Sequence, residues 1–248
     1  MGVGIMAPLK GLARVAVDFA LPPRCAGCGV VAEAPDSFCP ACWPVLDWIG
    51  QGGCQRCGLP LMATEAEQCG RCLADPPGLD RIRAALAYDE LPRQVALKLK
   101  YGRKVGLART MARYMVPLRG EEMDEAILVP VPLHRGRLWS RGFNQAGLVA
   151  RELGRAWLVP VDQAMLRRVK RTPPMKGMSP AERQRTVAGA FRVRNAGSVK
   201  GRNIVLIDDV YTTGSTAEAC AKALRKAGAR RVELICWARV VRPGQLMR

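Results

Sequence analysis

The stretch NIVLIDDVYTTGST, residues 203–216, joins an apolar run to two adjacent carboxylates, Asp208 and Asp209, and then to Thr212, Thr213, Gly214, Ser215 and Thr216. Hydroxyls and backbone N–H groups at the start of a helix cradle a phosphate, because the unpaired N–H groups and the helix dipole both favour an anion. Carboxylates repel that phosphate but accept hydrogen bonds from hydroxyls. A ribose carrying a 5-phosphate suits both halves, its 2′ and 3′ hydroxyls meeting the acids while the phosphate meets the loop.

A second constellation lies far upstream. Eight of the ten cysteines form four CxxC pairs: Cys25 and Cys28, Cys39 and Cys42, Cys54 and Cys57, Cys69 and Cys72. Two cysteines separated by two residues can turn both sulfurs to one point, and a second pair completes the tetrahedral thiolate shell that structural zinc selects. Four pairs therefore suggest two zinc ions. Sequential pairing gives two short ribbons and is the expected arrangement; interleaved pairing needs longer connections. Disulfides, a redox CxxC and iron–sulfur ligation are the competing readings, and regular spacing in a chain with no mark of export favours zinc. With only thiolates as ligands no coordination position stays open, so these sites are expected to be structural, and each adds about −2 to its surroundings. Cys54→Ser is expected to unfold its ribbon locally, since structural zinc supplies much of a small module's folding energy, and to leave the second domain intact. Cys220 and Cys236 stand outside the pattern and are expected to be buried apolar residues.

The elements that must position these groups follow from the wider pattern. The chain has 248 residues and is 49% hydrophobic, enough for a medium domain and a smaller one. Residues 1–80 carry 5 Lys+Arg and 8 Asp+Glu, a net −3, while the remaining 168 carry 34 and 13, a net +21. That positive field attracts polyanions, either nucleic acid or a phosphorylated small molecule. The ribbon segment lacks a basic stripe, so it suits clamping a partner better than binding DNA. No apolar run reaches the roughly 20 residues of a membrane span, and a cytoplasmic protein is expected. LARVAVDFAL, inside residues 1–22, has the spacing of a short amphipathic helix; residues 23–79 form the ribbon module and 80–248 the second domain.

From residue 80 onward strand and helix patterns alternate. RIRAALAYDE, AILVPVP, LVPVD, NIVLIDDV and RRVELICWARV read as strands; helices are expected in LPRQVALKLKYGRKVGLARTMARYMVPLR, broken near Gly102, in FNQAGLVARELGRAW and in STAEACAKALRKAG. Alternation of this kind signals an α/β fold with a mainly parallel, Rossmann-like sheet, whose ligands bind beyond the carboxyl ends of the strands. Asp208 and Asp209 would then emerge at the end of a strand. The segment 167–187 is polar, and Pro173, Pro174 and Gly177 argue against regular structure there.

IVLIDDVYTTGST resembles the phosphoribosyl pyrophosphate (PRPP) motif of type I phosphoribosyltransferases. Together with VPVPLHRGRLWSRGFNQA and the cysteine pairs, it makes the chain similar to the ComF family of competence-associated, phosphoribosyltransferase-like proteins from about Cys25 to Val240, the hexamer RGFNQA weighing most. The resemblance implies a type I phosphoribosyltransferase core preceded by a double zinc ribbon, with a role in uptake of transforming DNA. It implies that Asp208 and Asp209 hold ribose hydroxyls, that Thr212, Thr213, Gly214, Ser215 and Thr216 hold the 5-phosphate, and that a pyrophosphate loop spans Pro132, Leu133, His134 and Arg135, with Arg141 close by. Mg²⁺ would accompany PRPP. His134 is otherwise a neutral surface histidine, Arg135, Arg137 and Arg141 solvated bases, and Asn144 a helix cap. The 167–187 segment lies where such transferases carry a hood; Arg171, Thr172, Glu182, Arg183 and Phe191 keep the pattern, while Met175 and Thr186 replace the usual Gln and Asn.

Two functional classes follow. One is a phosphoribosyltransferase acting on a nitrogenous acceptor; the other is a non-catalytic zinc protein that binds single-stranded DNA and uses the PRPP site for a regulatory ligand. PRPP or ribose 5-phosphate, single-stranded DNA and other DNA-uptake proteins docked on the ribbon are the expected partners. Tyr88, Tyr101, Trp139 and Phe143 are candidates for base stacking, core packing being the alternative for most of them.

Overall fold

The computed structural model describes residues 22–50, 52–61, 67–120, 123, 125–173 and 177–241. The expected N-terminal amphipathic helix lies outside them, as does Met175. By compactness the chain divides into two units, Met1–Val45 and Leu46–Arg248, a division that falls inside the 23–79 module.

In the first unit a tight knuckle follows from CAGCG. Gly29 turns the chain at φ +83°, where a side chain would be strained, and donates to the Cys25 carbonyl at 3.0 Å, while Cys25 donates to Val30 O at 2.8 Å. An antiparallel bridge, Arg24 with Val31, closes the turn, and a 3₁₀ turn, Trp43–Val45, ends the unit.

The second unit is built on a four-stranded parallel sheet of β1 (Arg81–Ala87), β2 (Ala126–Pro130), β5 (Asn203–Tyr211) and β6 (Arg231–Arg239), in the order β1-β6-β5-β2. Strands covered on both faces read as apolar runs, and 204–207 and 234–238 are buried throughout. Both sheet edges are covered. Ile49 donates to Ala85 O and Ala87 to Asp47 O along β1, and Leu128 donates to Pro160 O and Asp162 to Leu128 O along β2. The expected strand LVPVD is reduced to this contact, a single parallel bridge of Val161 with Leu128. Pro160 has no N–H to extend a ladder, and Leu158 turns left-handed at φ 58° to end the preceding helix.

The helices are α1 (Gly70–Ala74), α2 (Glu90–Tyr101), α3 (Leu107–Met115), α4 (Arg135–Arg141), α5 (Gln145–Trp157), α6 (Pro180–Val187) and α7 (Ser215–Lys226). Trp237 of β6 donates its indole N–H to Pro92 O in α2 at 3.1 Å, and Trp157 of α5 donates to Val116 O after α3 at 3.0 Å. The first bond ties α2 to the sheet and the second ties α5 to the end of α3, and α3 packs against both α2 and α5. Leu224, Ala221 and Ala217 of α7 share a core with Leu166, Phe191, Ile204, Leu206, Val232 and Leu234 on the other face.

Two expectations are corrected here. The segment 167–187 is irregular only in part: among its described residues 171–173 and 178–179 lack regular structure, while β3 (Leu166–Arg168) pairs antiparallel with β4 (Phe191–Val193) and α6 begins inside the segment. The sequence SPAE supplies Ser179 as N-cap, Pro180 at N1 and Glu182 at N3. Ser179 and Glu182 bond each other's backbone N–H in a capping box that outweighs the prolines upstream. The ribbon cysteines, moreover, are not all separable from the core. Cys54, Cys57 and Cys72 belong to the buried cluster that holds Leu79, Ile82 and Ala221, Ile82 donates to Arg56 O at 2.9 Å, and the Arg239 guanidinium of β6 donates to Cys57 O. Cys220 and Cys236 are fully buried, as expected, and burial pushes both thiols up.

Candidate functional site

Each ribbon gathers four sulfurs. Within Cys25, Cys28, Cys39 and Cys42, and within Cys54, Cys57, Cys69 and Cys72, every Sγ lies within 4.8 Å of the others, which is the sequential pairing. The ribbons repeat one local design. Cys39 N–H points at the Cys25 sulfur at 3.3 Å, and Cys69 and Cys57 N–H point at the Cys54 sulfur at 3.3 and 3.5 Å. Desolvation works against the thiolate at both first cysteines, but these backbone donors prevail and bring each down to about 6. Burial and neighbouring thiols push Cys42 up to about 12 and raise Cys72 also. Four thiolates so close repel one another, and a divalent cation resolves the conflict. The all-thiolate donor set fits zinc.

The acids occupy the carboxyl end of the sheet. β5 runs two residues past them to Tyr211 on the β6 side, with Asp208 opposite Cys236, so they do not lie beyond the strand end as expected. On the β2 side the ladder stops at Pro130 with Ile207, and there the acids emerge. Adjacent strand residues point to opposite faces. Asp209 turns to the α2 layer and forms an ion pair with Lys100 Nζ. Burial opposes ionisation of Asp209, yet Lys100 overrules it and holds the carboxyl below its usual range. Burial raises the Asp208 carboxyl well above the aspartate range, and the Asp209 charge raises it further. The pair thus carries one strongly held negative charge and one carboxyl that ionises reluctantly.

Both acids line a cleft of about 710 Å³ together with Lys100, Leu133, Arg141, Arg168 and Thr216. The loop 212–215 leads directly into Thr216. Gly214 sits at the N-cap of α7 with φ +81°, and a Cβ there would collide with the Tyr211 hydroxyl, so the turn requires glycine. Thr213 Oγ1 and Ser215 Oγ lie 2.9 Å apart. The loop after β2 is fixed by Val131 N–H to Ile207 O at 2.9 Å and by Asn144 Nδ2 to Val131 O at 3.1 Å. Asn144 stands at the N-cap of α5 but its side chain does not cap; it holds the loop instead.

Not all the expected residues meet. His134 and Arg135 border a neighbouring cavity of about 730 Å³ with Phe143 rather than the acids' cleft. His134 caps α4, its Nδ1 accepting from Gly136 N–H at 3.2 Å. Arg141 donates to Gln145 and to the Tyr101 hydroxyl, each at 3.2 Å, and lies 5.0 Å over the Tyr101 ring. Two residues in the cleft carry no local sequence signal. Lys100 arrives from the end of α2. Arg168 comes from β3, held by Thr172 Oγ1 and stacked 5.3 Å over Phe191. The aromatic candidates are not core: Trp139 is 93% exposed and Tyr101 69%, and Tyr88 and Phe143 are half-buried.

Fold and site together define a phosphoribosyltransferase-like protein with a double zinc ribbon, and comparisons with known proteins agree. A double zinc ribbon domain matches residues 16–73 and a phosphoribosyl transferase domain residues 138–244. "Competence protein F" of Haemophilus influenzae is 32% identical over 221 residues, covering 85% of this chain and 94% of that protein. "DNA utilization protein YhgH" of Escherichia coli is 33% identical over 195 residues, covering 76% and 84%. Among solved structures, a glutamine PRPP amidotransferase from B. subtilis matches 52% of this chain and 26% of its own, at 19% identity and a TM-score of 0.33. The chain belongs to the ComF family. Among the described residues no helix is long and apolar enough to cross a membrane.

Proposed function

We propose that the cleft binds PRPP or ribose 5-phosphate, with transfer of the phosphoribosyl group to a nitrogenous acceptor as its chemistry and DNA uptake or use as its setting. One observation carries this reading: Asp208, Asp209 and the start of a glycine-capped helix border a single cleft that also receives Lys100, Arg141 and Arg168. The acids accept from ribose hydroxyls, the 212–216 loop receives the 5-phosphate, and the three cations offset the pyrophosphate that departs as its bond to the anomeric carbon breaks. These groups act by orientation and by charge placed where it develops. The donor set fits Mg²⁺ only sparsely, since Lys100 already engages Asp209; Asp208 and the ligand's own oxygens would hold it, and it would neutralise pyrophosphate charge.

Calorimetric titration with PRPP and Mg²⁺ tests this, and its pH dependence is specific. Asp208 is raised, so it is protonated at the acid end; a ligand that needs both carboxylates ionised must expel that proton. Affinity then increases with pH, by up to about tenfold per unit, until the raised Asp208 value is passed. Binding that weakens from mildly acid to neutral pH would contradict the assignment. PRPP consumption with purines, pyrimidines and ammonia supplied in turn reports whether turnover occurs.

A second reading, single-stranded DNA binding without catalysis, has its own observation. Trp139 stands 93% exposed on α4, whose sequence RGRLWSR carries Arg135, Arg137 and Arg141. A stacking surface among phosphate-binding cations suits a sequence-tolerant single strand. Affinity should fall steeply between 50 and 200 mM salt, by on the order of a hundredfold for several phosphate contacts, and Trp139→Ala should weaken it further by about 1–3 kcal/mol. Salt-indifferent binding, or a Trp139 variant equal to the parent, would remove this reading.

A further inference from the structure

Beyond the cleft, the opposite end of the sheet holds an unexplained group of charges. Arg81 and Arg83 on β1, and Arg231 and Glu233 on β6, recur at every second position and so project from one face; Arg81 lies opposite Glu233 in the ladder. In a doubly covered parallel sheet this face should be apolar. Here the four residues join Arg119 and Gly120 around a cavity of about 290 Å³.

Among the described residues, Glu233 is the carboxylate lining this cavity, and it is already engaged. It accepts from Arg83 Nη2 and, at 2.7 Å, from Arg231 Nε. Arg83 is 3% exposed, yet its Nε and Nη1 have no hydrogen-bond partner, and neither has the buried Nε of Arg81. Unmet buried donors on a cation are costly unless an anion completes them. Burial also pulls Arg83 below the usual arginine range, as expected of a guanidinium short of counter-charge. A Cβ on Gly120 would lie 2.5 Å from Arg83 Nη1, so the bare glycine leaves that donor open.

We propose that this cavity binds a small phosphate-type oxyanion, either free phosphate or the terminal phosphomonoester of a small molecule, held chiefly by Arg81 and Arg83. Guanidinium forks bond such oxyanions bidentately, and a tetrahedral oxyanion offers acceptors in the several directions from which these forks converge, which a single planar carboxylate does not. The depth of Arg83 excludes the backbone of a continuous nucleic-acid strand.

The test uses the full-length zinc-loaded protein with labelled alanine and valine methyl groups, titrated with inorganic phosphate. The methyls of Ala126 and Val205, which line this cavity and not the acids' cleft, should shift saturably. In Arg81→Gln, which removes a half-buried side chain that makes no bond, the midpoint should move up by about tenfold, the worth of one charge-assisted bond. Methyls that do not move in the wild type overturn the proposal without recourse to the variant, and would mean that the chain's own acids serve the arginines. An unchanged midpoint in a folded Arg81→Gln also overturns it. Ribose 5-phosphate competing as well as phosphate would identify a terminal phosphomonoester as the source; markedly weaker competition would identify free phosphate. Equal competition by an oligonucleotide lacking a terminal phosphate would refute the small-ligand assignment.

Discussion

Cys54→Ser should lower the main thermal transition by on the order of 10 °C, while Cys25→Ser should move it by less than about 2 °C. The two substitutions are matched. Each removes the first sulfur of a ribbon, each of those sulfurs accepts backbone N–H bonds, and each thiol is brought down to about 6. They differ in what surrounds the site. Cys25 lies in the Met1–Val45 unit, Cys54 in the unit that holds the sheet. Cys54 shares its buried cluster with Ile82, Ala217 and Leu234, and the backbone of its ribbon accepts bonds from Ile82 and Arg239. Zinc binding supplies about 10–16 kcal/mol to an isolated site, against a whole-domain stability of about 5–15 kcal/mol, so losing an embedded site is felt across the domain. Metal analysis should give close to two zinc ions per chain in the parent and close to one in each variant. Equal midpoints for the two variants would show that the second ribbon is as dispensable as the first.

The contrast between those ribbons bears on what can be read from a chain. Zinc ligation was legible because its determinants are local: CxxC sets both sulfurs on one turn, and the short span between pairs leaves little choice of partner. The acids and the phosphate loop were legible for the same reason, as one strand, one turn and one helix start. Lys100 was not. It reaches Asp209 from 109 positions earlier in the chain, and KLKYGRK alone looks like any basic helix end. Arg168 was equally hidden among arginines, because only the β3–β4 pairing sets it over Phe191.

Other misreadings were of signals present but outweighed. SPAE is a complete capping box, yet Pro173, Pro174 and Gly177 drew attention to chain breaking instead of to the helix start just beyond. Asn144 has the residue type and position of a cap, and only the approach of Val131 O shows where its amide goes. The end of β5 depends on which neighbour is considered, since β2 stops four residues before β6 does. A single strand's hydrophobicity carries no information about its partners' lengths.

The acid pair should respond asymmetrically to neutralisation. Asp208→Asn should leave the fold intact and abolish the stabilisation that PRPP with Mg²⁺ gives the parent. Asp208 is half-buried, and desolvation together with the Asp209 charge raises its carboxyl, so ionising it costs the folded state. With the folded value above the unfolded one, its contribution to stability is fully present below the ordinary aspartate range and is lost as pH rises through the raised value. An asparagine carries no such penalty, so the unliganded variant should match the parent at low pH and exceed it at neutral pH. Asp209→Asn should behave in the opposite way. Its folded value lies below the unfolded one, so it stabilises above the ordinary aspartate range and the benefit is lost on acidification. Removing it strands Lys100, and losing one member of a buried pair costs about 3–5 kcal/mol. Both variants should bind ligand a few kcal/mol more weakly, the scale of lost charge-assisted bonds. Thermal midpoints of the parent and both variants, with and without Mg²⁺ and PRPP at two pH values, decide the matter. Equal ligand-induced shifts in parent and variants, or none in the parent, would mean that Asp208 and Asp209 serve only to end the strand. Loss of unliganded stability in Asp208→Asn at neutral pH would mean that its carboxyl is a structural acceptor.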